Sequence, residues 1–323
     1  MKTVLLENVF KDVSPLAERI KDVSELTVID YSPEAASRPE VKEADALLLV
    51  NQKKADAEFI DTLKNCRLIC RCGVGYENVD AEYAAKKGIY VANAPGYCDD
   101  EVSDHAVALM LAMERRLFKS DSGFRETHRY NLSKIRGIGG LRGKTAGIIG
   151  LGATGRLTAK KLTAFGMNVL YYHPRRHNDV EGDGFTAKWS ELDALFAAGD
   201  YVILHATSTP ETFHMVNEHT LSLMKPTAGI VNVARGELID TAALNAALSE
   251  HRIACAGLDV FEGSLKNEWN IELFKQENTI LTPHSAWLSE NAERRLLEII
   301  GDNVCDAAEG KVPRNCVNFD HMG

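Results

Sequence analysis

Short apolar runs that alternate with longer helical stretches constrain the fold of this chain more than any other feature. The runs are rich in Val, Ile and Leu, and they fall in two series. The first comprises Leu26 to Asp30, Ala46 to Val50, Leu68 to Cys72 and Ile89 to Asn93. The second comprises Thr145 to Gly150, Asn168 to His173, Tyr201 to His205, Gly229 to Val233, Ile253 to Leu258 and Thr279 to Leu281. Continuous apolar strands separated by helices predict an α/β protein with parallel sheets covered on both faces.

Helices are the natural joints between the two series, because the chain has no low-complexity tract, short repeat or Ser/Pro linker. One predicted helix, Asp99 to Lys119, opens with acidic residues, and another, Ser289 to Ala308, begins with a capping serine. The chain would leave the first lobe through one helix and return through the other. We therefore predict one domain over residues 1–100 and 289–323, with a second domain over residues 101–288 inserted in it.

The composition excludes several classes of protein. The chain has 323 residues, 45% hydrophobic and 26% charged, which gives a sizeable core and excludes general disorder. Lys and Arg number 37 against 46 Asp and Glu, so the formal charge is −9. A net negative chain lacks the basic field that gathers nucleic acid, and an acidic membrane surface repels it. We expect neither partner.

The cysteines and the first residues predict a cellular compartment. The 7 cysteines are scattered, odd in number and without a CxxC motif, which argues against a disulfide framework. The segment Met1 to Glu7 meets a charge too early for a signal peptide or a membrane span. The sequence therefore predicts a reduced, cytoplasmic enzyme.

A glycine-rich loop follows the first run of the second series and precedes a helical stretch that ends near Phe165. In the pattern G-x-G-x-x-G, the first glycine permits a tight turn, the second lets a pyrophosphate approach the backbone, and the third lets helix and strand pack closely. This order of strand, turn and helix predicts a dinucleotide site. The residues assigned to it are Gly150, Gly152, Ala153, Thr154 and Gly155.

The end of the next strand predicts which dinucleotide binds. NAD sites usually place Asp or Glu there, about 20 residues beyond the glycines, to bind the ribose hydroxyls. Here His173 and Pro174 are followed by Arg175 and Arg176. The carboxylate that would repel a 2′-phosphate is missing, and two guanidinium groups that can bind one are present. The sequence favours NADP(H), and NAD(H) stays possible if both arginines are merely solvated.

Three further strands of the second series end with polar residues. Arg235 follows the run Gly229 to Val233, Asp259 follows Ile253 to Leu258, and His284 comes three residues after Leu281. Because open α/β sheets bind ligands at the carboxyl edge of their strands, we expect these side chains to converge on one rim.

These segments together resemble the D-isomer-specific 2-hydroxyacid dehydrogenase family, and the resemblance covers nearly the whole chain. The matching pieces are Arg71 to Asp80, Asn93 to Gly96, the glycine loop, Ala234 to Gly236, Gly257 to Phe261 and Thr282 to His284. The resemblance implies two α/β lobes with parallel sheets, in which a Rossmann-type dinucleotide-binding domain is inserted in a flavodoxin-like substrate and catalytic domain. It also implies hydride transfer between a nicotinamide and a small 2-keto or 2-hydroxy acid.

The family's site residues transfer to matching positions. Arg235 would bind the substrate carboxylate and polarise the keto oxygen, and His284 would donate or withdraw the proton. The backbone N–H groups of Val74 and Gly75 resemble a second carboxylate clamp. Asp259 would bind the nicotinamide carboxamide. Ala234 completes the cofactor-binding set.

One position departs from the family pattern. The family usually carries a glutamate five residues after the aspartate, which pairs with the histidine and raises its pKa. Ser264 stands there instead. Three alternatives stay open: Glu262 or Glu268 replaces it, the histidine works more slowly with a lower pKa, or turnover has been lost.

The tryptophan at position 287 is a point of resemblance to the C-terminal-binding-protein branch of the family, where a tryptophan at this position lines the substrate pocket. It favours a bulkier 2-keto acid than glyoxylate, unless it packs at a dimer interface.

The helix from Asp99 to Arg116 and the segment Phe118 to Arg142 resemble the family's dimerisation region, so we expect a homodimer. The alternative to an enzyme is a catalytically weak, dinucleotide-sensing, corepressor-like binding dimer, which Ser264 permits.

Overall fold

The computed structural model describes residues 1–32, 34–50, 54–129, 132, 135 and 138–322. The chain divides into two compact units, one formed by Met1–Tyr97 with Leu288–Gly323 and the other by Cys98–Trp287. The sequence-based boundaries stood at 100/101 and 288/289. No helix in the described ranges is both long and apolar enough to cross a membrane.

The first unit contains a parallel sheet of five strands with helices between them. Its elements are β1 (Lys2–Asn8), α1 (Ser14–Ile20), β2 (Glu25–Asp30), α2 (Pro39–Lys42), β3 (Ala46–Leu49), α3 (Ala57–Asp61), β4 (Leu68–Arg71), α4 (Ala81–Lys86) and β5 (Tyr90–Ala92). The strand order β2-β1-β3-β4-β5 is the flavodoxin-like order. Strand β1 was not predicted, although its centre, Val4 to Leu6, is fully buried.

The second unit contains helices on both sides of a larger sheet. Its elements are α5 (Asp99–Glu114), α6 (Leu117–Thr127), β6 (Thr145–Ile149), α7 (Ala153–Ala164), β7 (Asn168–Tyr172), β8 (Val180–Gly182), β9 (Phe185–Trp189), α8 (Leu192–Ala198), β10 (Tyr201–Leu204), α9 (Glu218–Leu223), β11 (Gly229–Asn232), α10 (Thr241–Ser249), β12 (Cys255–Leu258), α11 (Glu268–Leu273) and β13 (Thr279–Leu281). The strand order is β13-β12-β11-β10-β6-β7-β9-β8, and β8 pairs antiparallel with β9. The remaining pairs are parallel, and the order reverses between β6 and β10, as in a Rossmann-type sheet. The predicted fold class is confirmed.

The predicted helix from Asp99 to Lys119 is wrong in its last five residues. The helix ends at Glu114, and Arg116 adopts the left-handed conformation with φ +48°. A new helix, α6, begins directly after it. The break is invisible in the sequence because no glycine or proline marks it.

The chain returns to the first unit through α12 (Glu290–Ala308). As predicted, Ser289 caps this helix, its side chain accepting the backbone N–H of Ala292 at 2.9 Å. The tail then lies along the free edge of β5. Val317 donates its N–H to the carbonyl oxygen of Val91 at 2.8 Å, and the Asn318 side chain accepts the Val91 N–H at 2.8 Å. The C-terminal tail therefore covers an edge that would otherwise be exposed.

Candidate active site and cofactor-binding loop

The loop between β6 and α7 has the backbone that the three glycines predict. Gly150 has φ +93°, and a Cβ atom added to it would lie 2.7 Å from the backbone nitrogen of Ala206. A Cβ atom on Gly155 would lie 2.2 Å from the Gly150 carbonyl oxygen. A Cβ atom on Gly152 would meet nothing within 4 Å. The fold itself requires the first and third glycines, whereas the second leaves the backbone open to a ligand.

Helix α7 begins directly after this open backbone. It has 12 residues, and its N-cap, Gly152, has no side chain that could occupy the first N–H groups. The Thr154 hydroxyl donates to Asp99 Oδ1 at 3.0 Å, which ties α7 to the first turn of α5. A helix amino terminus behind a side-chain-free loop fits the pyrophosphate of a dinucleotide cofactor.

The loop after β7 is held by its own histidines. The Nδ1 atom of His173 accepts the backbone N–H of Arg175 at 3.1 Å. His177 Nε2 lies 3.1 Å from the carbonyl oxygen of Pro174, and its ring stacks on Trp189 with the ring centroids 4.8 Å apart. The backbone that carries the two arginines is therefore fixed at both ends.

The charge at this strand end is positive. Burial, together with the neighbouring Arg176 and Arg175, lowers the pKa of His173, so its ring is neutral at neutral pH. Both arginines are exposed. A carboxylate, which would bind the ribose hydroxyls of NAD, is replaced here by an imidazole and two guanidinium groups.

His205 lies after β10, directly against the glycine loop. Its backbone N–H donates to the carbonyl oxygen of Ile149 at 2.8 Å, and its Nε2 lies 2.9 Å from the Thr158 hydroxyl on α7. Burial lowers the pKa of His205 from 6.5 to about 4, so the ring stays neutral in the working range of most enzymes. This bridge joins the helix of the phosphate loop to the neighbouring strand.

The turn that carries Arg235 is shaped by a buried asparagine. The Asn232 side chain, at the end of β11, accepts the Ala234 N–H at 3.0 Å and donates to the Arg235 carbonyl oxygen at 2.8 Å. A Cβ atom on Gly236 would lie 2.1 Å from the backbone of Phe261, so only glycine fits at this position. The arginine is thus presented by a rigid, closely packed turn.

The segment after β13 is anchored on a buried carboxylate. Asp259 is 0% exposed, and its Oδ1 accepts the Thr282 hydroxyl at 2.5 Å and the Ser285 N–H at 2.9 Å. Its Oδ2 accepts the Ala286 N–H at 2.9 Å, so both oxygens are hydrogen-bonded within the protein. His284 lies between these anchors in the left-handed conformation, with φ +55°. A histidine held there by several hydrogen bonds is typical of a functional position.

Strand register places the arginine and the histidine at one edge of the sheet. Asn232 pairs with Leu258 on β12, which pairs in turn with Leu281 on β13. Arg235 and His284 each follow this row by three residues. Both therefore belong to the carboxyl edge at which the glycine loop also lies, as the sequence predicted.

Glu262 does not stand in for the missing glutamate. Its Oε1 lies 2.5 Å from His214 Nε2, and its Oε2 accepts the Thr241 hydroxyl at 2.9 Å. Ser264 is exposed and accepts a backbone N–H two residues further on. Glu268 is exposed in the first turn of α11. Glu262 is therefore committed to His214, a histidine to which no sequence motif assigns a role.

The predicted clamp lies after β4 in the first unit. The Gly73 carbonyl oxygen accepts the Ala94 N–H at 2.9 Å, and the Val74 carbonyl oxygen accepts the Asn93 side chain at 2.7 Å. Within the described ranges, the N–H groups of Val74 and Gly75 donate no hydrogen bond. Consecutive unused N–H groups on a fixed loop are typical of anion-binding backbone.

A Rossmann-type sheet with this glycine loop, in a chain that also contains a flavodoxin-like unit, defines a dehydrogenase that uses a nicotinamide dinucleotide. The family model described as "D-isomer specific 2-hydroxyacid dehydrogenase, NAD binding domain" matches residues 107–286. The chain belongs to the D-isomer-specific 2-hydroxyacid dehydrogenase family.

Curated relatives support this membership over most of their length. A glyoxylate reductase of Thermococcus litoralis is 38% identical over 293 residues, which cover 89% of this chain and 88% of the relative. A glyoxylate reductase of Thermofilum pendens is 36% identical over 311 residues, covering 94% and 91%. The protein is thus an NAD(P)-dependent oxidoreductase that acts on 2-hydroxy and 2-keto acids, which confirms the predicted enzyme. These relatives give no support to the corepressor-like alternative.

Solved structures agree in fold. A D-lactate dehydrogenase of Aquifex aeolicus, solved with NAD and lactic acid, superposes with a TM-score of 0.87 at 28% identity, covering 98% of this chain and 99% of that one. An NADPH-dependent glyoxylate/hydroxypyruvate reductase of Sinorhizobium meliloti, solved with NADP and malonate, has a TM-score of 0.84 at 27% identity, covering 99% and 97%. The neighbours thus include users of either nicotinamide cofactor.

Proposed function

We propose that Arg235 binds the carboxylate of a 2-keto acid and that His284 supplies the proton during its reduction. The observation that carries this proposal is the anchoring of the His284 segment on buried Asp259, at the sheet edge that also holds Arg235 and the glycine loop. The test is turnover of a 2-keto acid after replacement of His284.

The chemistry balances with these two side chains. When bound, the reduced nicotinamide supplies a hydride to C2 of the keto acid. The imidazolium of His284 donates its proton to the C2 oxygen, so that a 2-hydroxy acid forms and the ring becomes neutral. The planar guanidinium of Arg235 holds the carboxylate and stabilises the charge that develops on the oxygen. In oxidation, neutral His284 withdraws the hydroxyl proton.

Further residues have proposed roles in binding. We propose that the N–H groups of Val74 and Gly75 bind a substrate carboxylate, and that the indole of Trp287 contacts the substrate and favours a bulky side chain on it. Asp259, which is 0% exposed in this structure, accepts the nicotinamide carboxamide only when cofactor binding makes its carboxylate accessible. Ala234 contributes backbone beside the cofactor.

We also propose that NADP(H) is the preferred cofactor and that Arg175 and Arg176 bind its 2′-phosphate. Both guanidinium groups are exposed on a fixed loop, and the neutral imidazole of His173 takes the place of the carboxylate. Each charge-assisted hydrogen bond to phosphate is worth about 1.5–3 kcal/mol.

Removing both arginines is expected to abolish this preference. In Arg175→Ala/Arg176→Ala, kcat/KM with NADPH should fall about 100-fold while the value with NADH changes less than about threefold. The control, Lys11→Ala/Lys86→Ala, removes two exposed charges from the other unit and should behave like the wild type. A wild-type enzyme that favours NADH tenfold would contradict the proposal.

We further propose a homodimer formed through α6. This helix buries none of its side chains, and Leu117, Phe118 and Phe124 are 53%, 64% and 50% exposed. Such an apolar face on a soluble chain is typical of an interface. Within the predicted segment Phe118 to Arg142, residues 130, 131, 133, 134, 136 and 137 lie outside the described part of the chain.

Sedimentation is expected to give twice the 35.6 kDa mass of one chain. Phe118→Asp/Phe124→Asp should sediment as a monomer, because two charges would be buried in the interface. Phe319→Asp, at an exposed apolar residue elsewhere, should remain dimeric. A wild-type monomer at micromolar concentration would refute the dimer.

A cytoplasmic location completes the proposal. Cys66, Cys70 and Cys255 form no disulfide bond. Burial raises the pKa of the Cys66, Cys70 and Cys255 thiols to about 12, so they stay protonated and unreactive. Inert free thiols suit a reducing compartment.

A further inference from the structure

A histidine on α5 joins the hydrogen-bond network beneath the proposed acid. His105 lies in the middle of α5, and its Nε2 is 3.0 Å from the Thr282 hydroxyl and 3.6 Å from Asp259 Oδ1. The His105 side chain is 23% exposed and the Asp259 side chain 0%. An imidazole therefore contacts both the anchor of the His284 segment and the carboxylate that holds it.

The direction of each hydrogen bond follows from chemistry. An ionised carboxylate only accepts, so the Thr282 hydroxyl donates to Asp259 over their 2.5 Å separation. The hydroxyl has given its proton and can only accept from His105, so Nε2 carries a proton. The resulting chain runs from imidazole N–H to hydroxyl and from hydroxyl to carboxylate. Asp259 in turn accepts the backbone N–H groups of Ser285 and Ala286.

This chain of hydrogen bonds affects the position of His284 through the backbone. The His284 N–H donates to the Asp259 carbonyl oxygen at 2.9 Å, and its left-handed conformation persists only where the surroundings enforce it. Anchors lie on both sides of it, at Thr282 and at Ser285. Without the His105 donor, the Thr282 hydroxyl loses one of the two hydrogen bonds that hold its side chain in place, and this anchor weakens.

We propose that His105 is a positioning residue, which acts through Thr282 and Asp259 to fix the segment that carries His284. This inference rests on the proposed proton-donating role of His284. It predicts an effect on the chemical step rather than on binding, because displacement of a catalytic group by a fraction of an ångström slows the reaction without removing a substrate contact.

The test compares His105→Leu with His105→Gln, since glutamine offers an N–H donor at nearly the same reach. The substrate is the 2-keto acid that the wild type reduces fastest in a panel from glyoxylate to 4-methylthio-2-oxobutanoate. We expect His105→Leu to lower kcat about tenfold, with KM and the cofactor Kd within twofold of the wild type. We expect His105→Gln to recover kcat to within about threefold.

A second pair covers the case in which His105→Leu does not fold. Thr282→Ser keeps the hydroxyl and should retain kcat within threefold, whereas Thr282→Val should lower it about tenfold. The inference is overturned if His105→Leu keeps a wild-type kcat, if glutamine is no better than leucine, or if the Thr282 variants behave alike. If the His105 and Thr282 pairs fail in this way while His284→Asn still abolishes turnover, the proposed function survives without this inference. If His284→Asn is active, both the proposed role of His284 and the positioning role of His105 are wrong.

Discussion

Replacement of His284 by asparagine is expected to lower kcat for 2-keto acid reduction about 10³-fold, because a positioned general acid contributes roughly 10²–10⁴ to the rate. Asparagine is chosen because it tolerates the left-handed conformation that His284 adopts, so the segment keeps its backbone. The steady-state rate of NADPH or NADH oxidation measures the effect. Cofactor Kd should stay within about twofold, since the glycine loop is untouched.

The matched control is His219→Asn, at an exposed histidine on α9 that pairs with Asp193. This variant should turn over at the wild-type rate. If His284→Asn keeps more than a third of the wild-type kcat, the proton comes from elsewhere. The assignment of His284 would then be wrong even though the family membership stands.

Acid is expected to destabilise the protein through His205. The folded pKa of this histidine is about 4, whereas an unfolded histidine titrates near 6.5. The unfolded state therefore binds a proton that the folded state refuses, and stability present above pH 6.5 is lost as the pH falls toward 4. The shift corresponds to about 3 kcal/mol of unfolding free energy over this window.

Urea denaturation of the wild type and of His205→Gln between pH 7 and pH 4 measures this contribution. Glutamine can keep the contact with the Thr158 hydroxyl and does not titrate, so the variant should lose about 3 kcal/mol less than the wild type over the same range. The control, His321→Gln, replaces an exposed histidine and should follow the wild type. Parallel curves for wild type and His205→Gln would refute the buried, neutral state of this ring.

Most strands of the two sheets were predictable because they are locally encoded, whereas Lys2–Asn8, Val180–Gly182 and Phe185–Trp189 were not predicted. Thr279–Leu281 has the predicted bounds, and the ends of other predicted strands differ by one or two residues. The strand Lys2–Asn8 was missed because charged and polar residues bracket its short apolar centre. Its pairing with β2 and β3 decides its place between them. The helix break at Arg116 was missed for a related reason. Tertiary packing selects a left-handed backbone conformation there, which arginine itself disfavours.

The candidate site was predictable where residue type alone dictates the chemistry. The glycines at 150 and 155 are required by backbone contacts, and the arginine and histidine follow buried strands at one edge. The partner of Glu262 was not predictable, because His214 lies 48 residues away and nothing in either local sequence points to the other. A weak signal existed for Asn232, a polar residue within an otherwise apolar strand.

The sequence by itself determined most strands of the two sheets, the backbone of the glycine loop and the places of Arg235 and His284 after their strands, because the period of apolar residues, turn chemistry and strand order are local properties. Only the tertiary structure decided that Glu262 binds another histidine, and that His105, 177 residues from Thr282, reaches the segment that carries His284. Contacts of this kind depend on how helices pack on the sheet. Their energies are small beside the burial of the core, so the pattern of apolar residues that specifies the fold leaves them unspecified.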